Sequence, residues 1–323
     1  MSLAPPAPPS QESAALLVPC HNGAEFLPRL IASARAQTRP FDECWLFDDG
    51  STDETAVVAR RLGFTVLRSD RSVGPSAARN ALARATRCDW LHFHDADDLM
   101  AADYLAASIA ATRNGADLVI CDMSWVDDRT RQPIFYWRYD EDALRLAPFA
   151  RLLEQTVGGI NALYRRERFL AVGGFDEHRL DWEDLDLALR LFRSGIRMRV
   201  VNRDLVTALR RTTSHSNRND VNVWTSKLEL MGEWLRTERA AVAAAVAHEA
   251  EAVAVRMAGL RELGAAARAL DLCVEAGGSP PTTRNPLVKA AKWVLPPLAV
   301  LRLQQWGRRL VSPAPTPGGD NRR

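Results

Sequence analysis

Asp95-Ala96-Asp97-Asp98 places three carboxylates within four residues. Like charges so close repel one another unless a cation compensates. Hard divalent cations take oxygen ligands, and Mg²⁺ sites often combine one or two carboxylates with substrate phosphates. The competing explanation is an acidic turn in which Asp97 or Asp98 caps the next helix. A second acidic turn is Asp48-Asp49-Gly50-Ser51-Thr52-Asp53. Gly50 permits a tight turn, and Ser51 or Thr52 suits a helix cap. Neither accounts for the two carboxylates ahead of the glycine, which suit a base N–H or a ribose hydroxyl. In Gly74-Pro75-Ser76-Ala77-Ala78-Arg79-Asn80 the small residues allow close approach, and Arg79 has the reach for a phosphate. Asp181-Trp182-Glu183-Asp184 precedes a helical face of Leu185, Ala188, Leu189 and Phe192, which puts Glu183 and Asp184 in a first turn. Capping by Asp181 is the structural alternative, since acids at a helix start suit the dipole.

The elements around these turns set their geometry. Short apolar strands are expected at 14–18, 44–47, 65–67, 90–94 and 118–121, alternating with helices at about 25–36, 53–62, 76–85 and 102–113. That alternation implies βαβ units, a mostly parallel sheet and right-handed crossovers. Ligands of open α/β sheets bind beyond the carboxyl ends of the strands. Pro19-Cys20-His21-Asn22-Gly23, Asp48-Asp49 and Asp95-Ala96-Asp97 all fall at such ends. A β-prone stretch at 134–139, a helix at 144–155, a strand at 160–164 and a helix at 185–192 follow. His92 and His94 share one strand face, which favours packing beside the sheet over metal binding. Trp125, Tyr136 and Trp137 suit an acceptor pocket, with core packing as the plainer expectation.

The chain has 323 residues, 42 Lys and Arg against 40 Asp and Glu, and a net charge of +2, so no charge excess points to nucleic acid. Its five cysteines are odd in number with no CxxC spacing, which fits reduced thiols better than disulfides or zinc. No apolar run is long enough to span a bilayer. The expected organisation is a disordered leader at 1–12, an α/β domain at 13–219, a helical region at 220–276, a basic amphipathic segment at 285–311 and a disordered tail at 312–323. Within 287–310, Lys289, Lys292, Arg302, Arg308 and Arg309 accompany Trp293 and Trp306, a pattern that suits attachment to a membrane surface or packing on the α/β domain.

Six motifs in order, LLVPCHNGAEFL, FDDGSTDET, GPSAARNAL, HFHDADD, GGFDE and WEDLDLALRL, resemble family 2 of the inverting glycosyltransferases of GT-A fold, over roughly residues 14–218. The resemblance implies a GT-A, Rossmann-like sheet flanked by helices, with a helical C-terminal extension. It implies that Asp49, with Asp48 beside it, reads the nucleobase next to Pro19, His21 and Asn22. Arg79 lies near the nucleotide, Asp95 contacts the ribose or metal, Ala96 lies in the nucleotide-sugar site, and Asp97 holds Mn²⁺ or Mg²⁺. Asp184 is implied as the general base with Glu183 as its neighbouring acid. Asp176 of GGFDE is implied to be structural. Members usually carry Tyr where this chain has His21, and often a His just after an Arg. Here Arg210 and Arg211 are followed by Thr212, so His215 is the candidate third metal or phosphate ligand.

The function expected is metal-dependent, inverting transfer of a sugar from a UDP- or other nucleotide-diphosphate donor to an acceptor hydroxyl. The acceptor is expected to be a glycan, a lipid-linked molecule or a small molecule, in bacterial glycan, polysaccharide or glycoconjugate synthesis. A cytoplasmic location, peripheral at the inner membrane face through 287–310, goes with that function. The rivals are a catalytically inactive nucleotide-sugar-binding or scaffold module and a nucleotidyltransferase. The second would carry a Gly-rich basic loop after the first strand, which Pro19 to Gly23 is not.

Overall fold

The computed structural model describes residues 12–211, 221–279 and 298–299. The leader up to residue 11, His215, nearly all of 285–311 and the tail at 312–323 lie outside the described residues. The chain divides into two compact units between 217 and 218.

The first unit is a mixed α/β structure around one sheet. Its first half runs β1 (Ala14–Cys20), α1 (Leu27–Arg35), β2 (Glu43–Asp49), α2 (Thr55–Arg61), β3 (Thr65–Ser69), α3 (Pro75–Ala85) and β4 (Trp90–Phe93). β1 lies between β2 and β4, parallel to both, and β3 extends the sheet beyond β2. Helices cover both faces of such a sheet, so β1 reads as an unbroken apolar run, with Ala14 to Val18 all fully buried. Leu16, Val18, Leu30, Leu46 and Trp90 meet in this core.

The second half adds β5 (Leu99–Met100), α4 (Tyr104–Thr112), β6 (Leu118–Asp127), β7 (Pro133–Trp137), α5 (Glu141–Leu146), α6 (Pro148–Glu154), β8 (Ala162–Arg165), α7 (Arg166–Ala171), α8 (Glu183–Arg193) and β9 (Met198–Arg210). The sheet order is β3-β2-β1-β4-β8-β6-β9-β5, with β7 paired to β6. β8 enters antiparallel between β4 and β6, so β6 does not continue the parallel series directly. Local periodicity marks a strand without naming its neighbour. The single helix expected at 144–155 is two helices. Pro148 supplies no N–H and Ala147 takes non-helical angles (φ −140°, ψ 60°), which breaks the run.

The second unit contains α9 (Val221–Gly259), kinked at Glu238, and α10 (Leu263–Glu275) packed against it. Lys227 and Glu249 are buried together at 2.5 Å, and Lys227 and Arg256 both lie over the Trp224 ring. No helix among the described residues is long and apolar enough to cross a membrane.

Candidate functional site

The carboxyl ends of β1, β2 and β4 form one edge. After β1, Asn22 adopts a left-handed conformation (φ 51°). This turns its side-chain oxygen to accept from Thr52 N at 2.8 Å, and its own N–H donates to Ser51 Oγ at 2.9 Å. The expected capping of α2 by Ser51 or Thr52 does not occur. Asn22 satisfies the N–H groups of the turn, and Asp53 accepts from Thr55 N. His21 donates to the Asp49 carbonyl at 2.7 Å and is exposed beside it. Pro19, half-buried, pairs with Phe47 in the β1–β2 register. Gly23 has no room for a Cβ, which would strike Cys20 Sγ and reach within 3.7 Å of Ala96.

The two acids at the end of β2 point into the protein. Asp48 is fully buried, accepts from Ser51 N at 3.0 Å and pairs with Arg68 at 3.0 Å. Asp49 accepts from Ser72 Oγ, Val73 N and Gly74 N at 2.7, 2.6 and 3.0 Å. An ionised carboxylate has about four acceptor positions, and these bonds take three of them.

Arg79, on α3, links this edge to the acid pair on α8. One guanidinium nitrogen donates to Asp95 at 3.1 Å and the other to Glu183 at 3.2 Å. The guanidinium lies 5.3 Å from the Phe175 ring centroid. Phe175 packs in turn against Phe93 and Phe169. Asn80, next on α3, donates to the Phe175 carbonyl at 2.8 Å and accepts from Phe175 N at 2.9 Å. The Gly173-Gly174-Phe175-Asp176 turn is thereby clamped to the helix that carries Arg79. Asp176 accepts from His178 N within this turn.

Glu183 and Asp184 open α8. The residue before them, Trp182, is left-handed (φ 65°, ψ 23°), and no side-chain cap bond is made at that helix start. The N-cap position is taken by Trp182 and not by Asp181. A non-glycine residue held there stores strain of the kind found at functional sites. Asp184 is half-buried and accepts from Leu185 N at 2.8 Å. Burial first, and the neighbouring Glu183 second, push its carboxyl up to about 7. That value suits a group exchanging protons near neutrality.

In the acidic turn, Asp98 does not cap the next helix. It is buried, accepts from Leu209 N at 2.8 Å and so ties β9 to the turn. Burial, with Asp95 and Asp97 close by, raises its carboxyl well above the usual range. Asp97 is also raised, by burial and then by Asp95. Arg211, just past β9, donates to Asp97 at 2.9 Å and to Asp128 at 2.7 Å, and lies 4.1 Å from the Phe26 ring centroid. Arg29 donates to the Asp97 carbonyl at 2.9 Å and pairs with Asp128 at 3.3 Å. Asp128 and Arg29 had no motif to announce them, and their partners lie far along the chain.

The donor chemistry fits a divalent cation. Asp95 and Asp97 have carboxylates at the sheet edge, each with one oxygen on an arginine. Among the described residues no cluster of three or more His, Cys, Asp or Glu could complete a shell. Two carboxylates with the remainder from substrate phosphates is the Mg²⁺-type arrangement. His92 and His94 are fully buried and take no part. His92 bonds the Ala162 carbonyl, Tyr104 and His94, and burial holds both imidazoles neutral. Trp125 packs on Phe135 and Trp137, while Tyr136 stays exposed.

A sequence model described as glycosyl transferase family 2 matches residues 15–172. The succinoglycan biosynthesis protein ExoA of Rhizobium meliloti is 30% identical over 200 residues, which is 58% of this chain and 60% of that protein. The S. aureus TarS structure (residues 1–349 with UDP-GlcNAc) superposes with TM-score 0.57 at 18% identity, covering 82% of this chain and 90% of that one. The mannosyltransferase PcManGT from Pyrobaculum calidifontis, in complex with GDP-Man and Mn²⁺, also superposes with TM-score 0.57 at 18% identity, covering 95% and 83%. Residues 15–172 match glycosyl transferase family 2, and the chain is a glycosyltransferase with the GT-A fold.

Proposed function

We propose that this protein transfers a glycosyl group from a nucleoside-diphosphate sugar to an acceptor hydroxyl by one inverting displacement, with a divalent cation at Asp97 and Asp95. The double bridge from Arg79 to Asp95 and Glu183 carries this reading, because it brings the edge of the sheet to the acid pair of α8. Asp49 receives a base N–H beside His21, Asn22 and Pro19. Arg79 faces the diphosphate, where a fixed cation stabilises charge on the leaving group. Mn²⁺ or Mg²⁺, when bound, neutralises the same diphosphate. Asp184 accepts the proton of the acceptor hydroxyl as its oxygen attacks the anomeric carbon. A single base serves a single displacement, and base catalysis of this kind contributes about 10²–10⁴-fold. Solved neighbours carrying UDP-GlcNAc and GDP-Man with Mn²⁺ support both donor class and cation. The succinoglycan relative supports a polysaccharide or other glycan acceptor.

A panel of UDP-, GDP- and dTDP-sugars with Mn²⁺, assayed for donor hydrolysis and transfer, tests the reading. One donor should turn over, lose activity in EDTA and recover it with Mn²⁺, giving a product of opposite anomeric configuration. Retention of configuration, or turnover indifferent to EDTA, would remove the corresponding part of the mechanism.

A further inference from the structure

Arg211 holds the carboxylate proposed as the metal ligand. Its guanidinium donates to Asp97 Oδ2 at 2.9 Å and to Asp128 Oδ2 at 2.7 Å, with the Phe26 ring 4.1 Å away. Asp128 is itself shared with Arg29 and Arg131. Asp98 fixes the backbone from which Arg211 projects, through the bond from Leu209 N at 2.8 Å. Asp97 thus has a positive partner delivered from the end of β9, at the place where Asp95 and Asp97 crowd negative charge.

We infer that Arg211 is a counter-ion of the donor site that opposes the cation alone and favours the cation with a diphosphate. A guanidinium and a divalent cation on one carboxylate repel each other. A diphosphate bound beside them would reverse that sign, because its negative oxygens would attract both the guanidinium and the metal. Arg211 therefore couples the two arrivals, so that cation and donor bind together and the cation alone binds poorly. Such coupling is reciprocal, each ligand raising the affinity of the other by the same factor. The inference rests on the proposal that Asp97 holds the cation.

Two variants and two probes test it in the full-length protein. Arg211→Met keeps an apolar stem over Phe26 and removes the charge. Mn²⁺ alone, followed by electron paramagnetic resonance, should bind this variant roughly fivefold more tightly than wild type, the scale of one part-exposed ion pair. Manganese pyrophosphate, followed by calorimetry, should bind it roughly tenfold more weakly, as for loss of a charge-assisted bond. Arg211→Lys should return the Mn²⁺ affinity towards wild type. Opposite signs for the two probes are the signature, because a merely structural role would weaken both. Arg211→Met that gains no Mn²⁺ affinity, or that binds manganese pyrophosphate as wild type does, overturns the inference. Asp97→Asn separates this from the reading beneath it: if that variant binds Mn²⁺ as wild type does, Asp97 is not the metal ligand, whatever Arg211→Met shows.

Discussion

Asp184→Asn removes an ionisable oxygen while keeping the size of the side chain. The carboxyl of Asp184 is raised from 3.8 to about 7, by burial and then by Glu183. About three pH units at 1.36 kcal/mol each set an upper limit of roughly 4 kcal/mol on the cost of ionising it in the folded protein. The folded state holds this proton more tightly than the unfolded chain does. Its stability is therefore greatest below the unfolded value and declines as pH rises towards 7. Asparagine carries no charge at any pH. The stability advantage of the variant over wild type should thus grow by up to about 3 kcal/mol between pH 5 and pH 8. For a unit of roughly 200 residues, each kcal/mol corresponds to about 2–4 °C in Tm. Scanning calorimetry at the two pH values reads this directly. Turnover should fall by about 10²–10⁴-fold, and wild-type kcat/KM should decline as pH drops below 7. An equal Tm difference at both pH values would refute the burial argument, and near-normal turnover would refute the base assignment.

Arg79→Met leaves Asp95 and Glu183 without their shared cation, and turnover should fall by about 10²–10³-fold in steady-state assays. Gly174→Ala forces a side chain into Asn80 Oδ1 at a backbone φ of +71°. Urea unfolding should show a loss of about 2–3 kcal/mol. In the helical unit, Lys227→Met strands the buried Glu249 charge and should cost about 3–5 kcal/mol. Lys227→Met with Glu249→Leu should recover most of that loss, read by circular dichroism during denaturation.

The parallel half of the sheet and its polar edge could be read from the chain because their signals are local. Apolar runs such as Leu16 to Val18 mark strands, and Asp48-Asp49, Asp95-Ala96-Asp97 and Glu183-Asp184 follow elements whose ends periodicity reveals. Motif order was enough to point to the family. Helix capping could not be read locally: Asn22 takes up the N–H groups of the turn at Thr52 and Asp53, and Asp98 is engaged by Leu209 N of β9. The placement of β8 between β4 and β6 was also out of reach, since antiparallel insertion leaves no periodic trace.

Residue types, their spacing and the edge on which they fall were therefore determined by sequence alone. Only the tertiary structure decided which charges meet. Arg79 finds Asp95 and Glu183, and Arg211 finds Asp97 and Asp128, across separations of 16, 104, 114 and 83 residues. The elevated carboxyl of Asp184 belongs to the same level. Its cause is the loss of water around one side chain, and that exists only once α8 has packed.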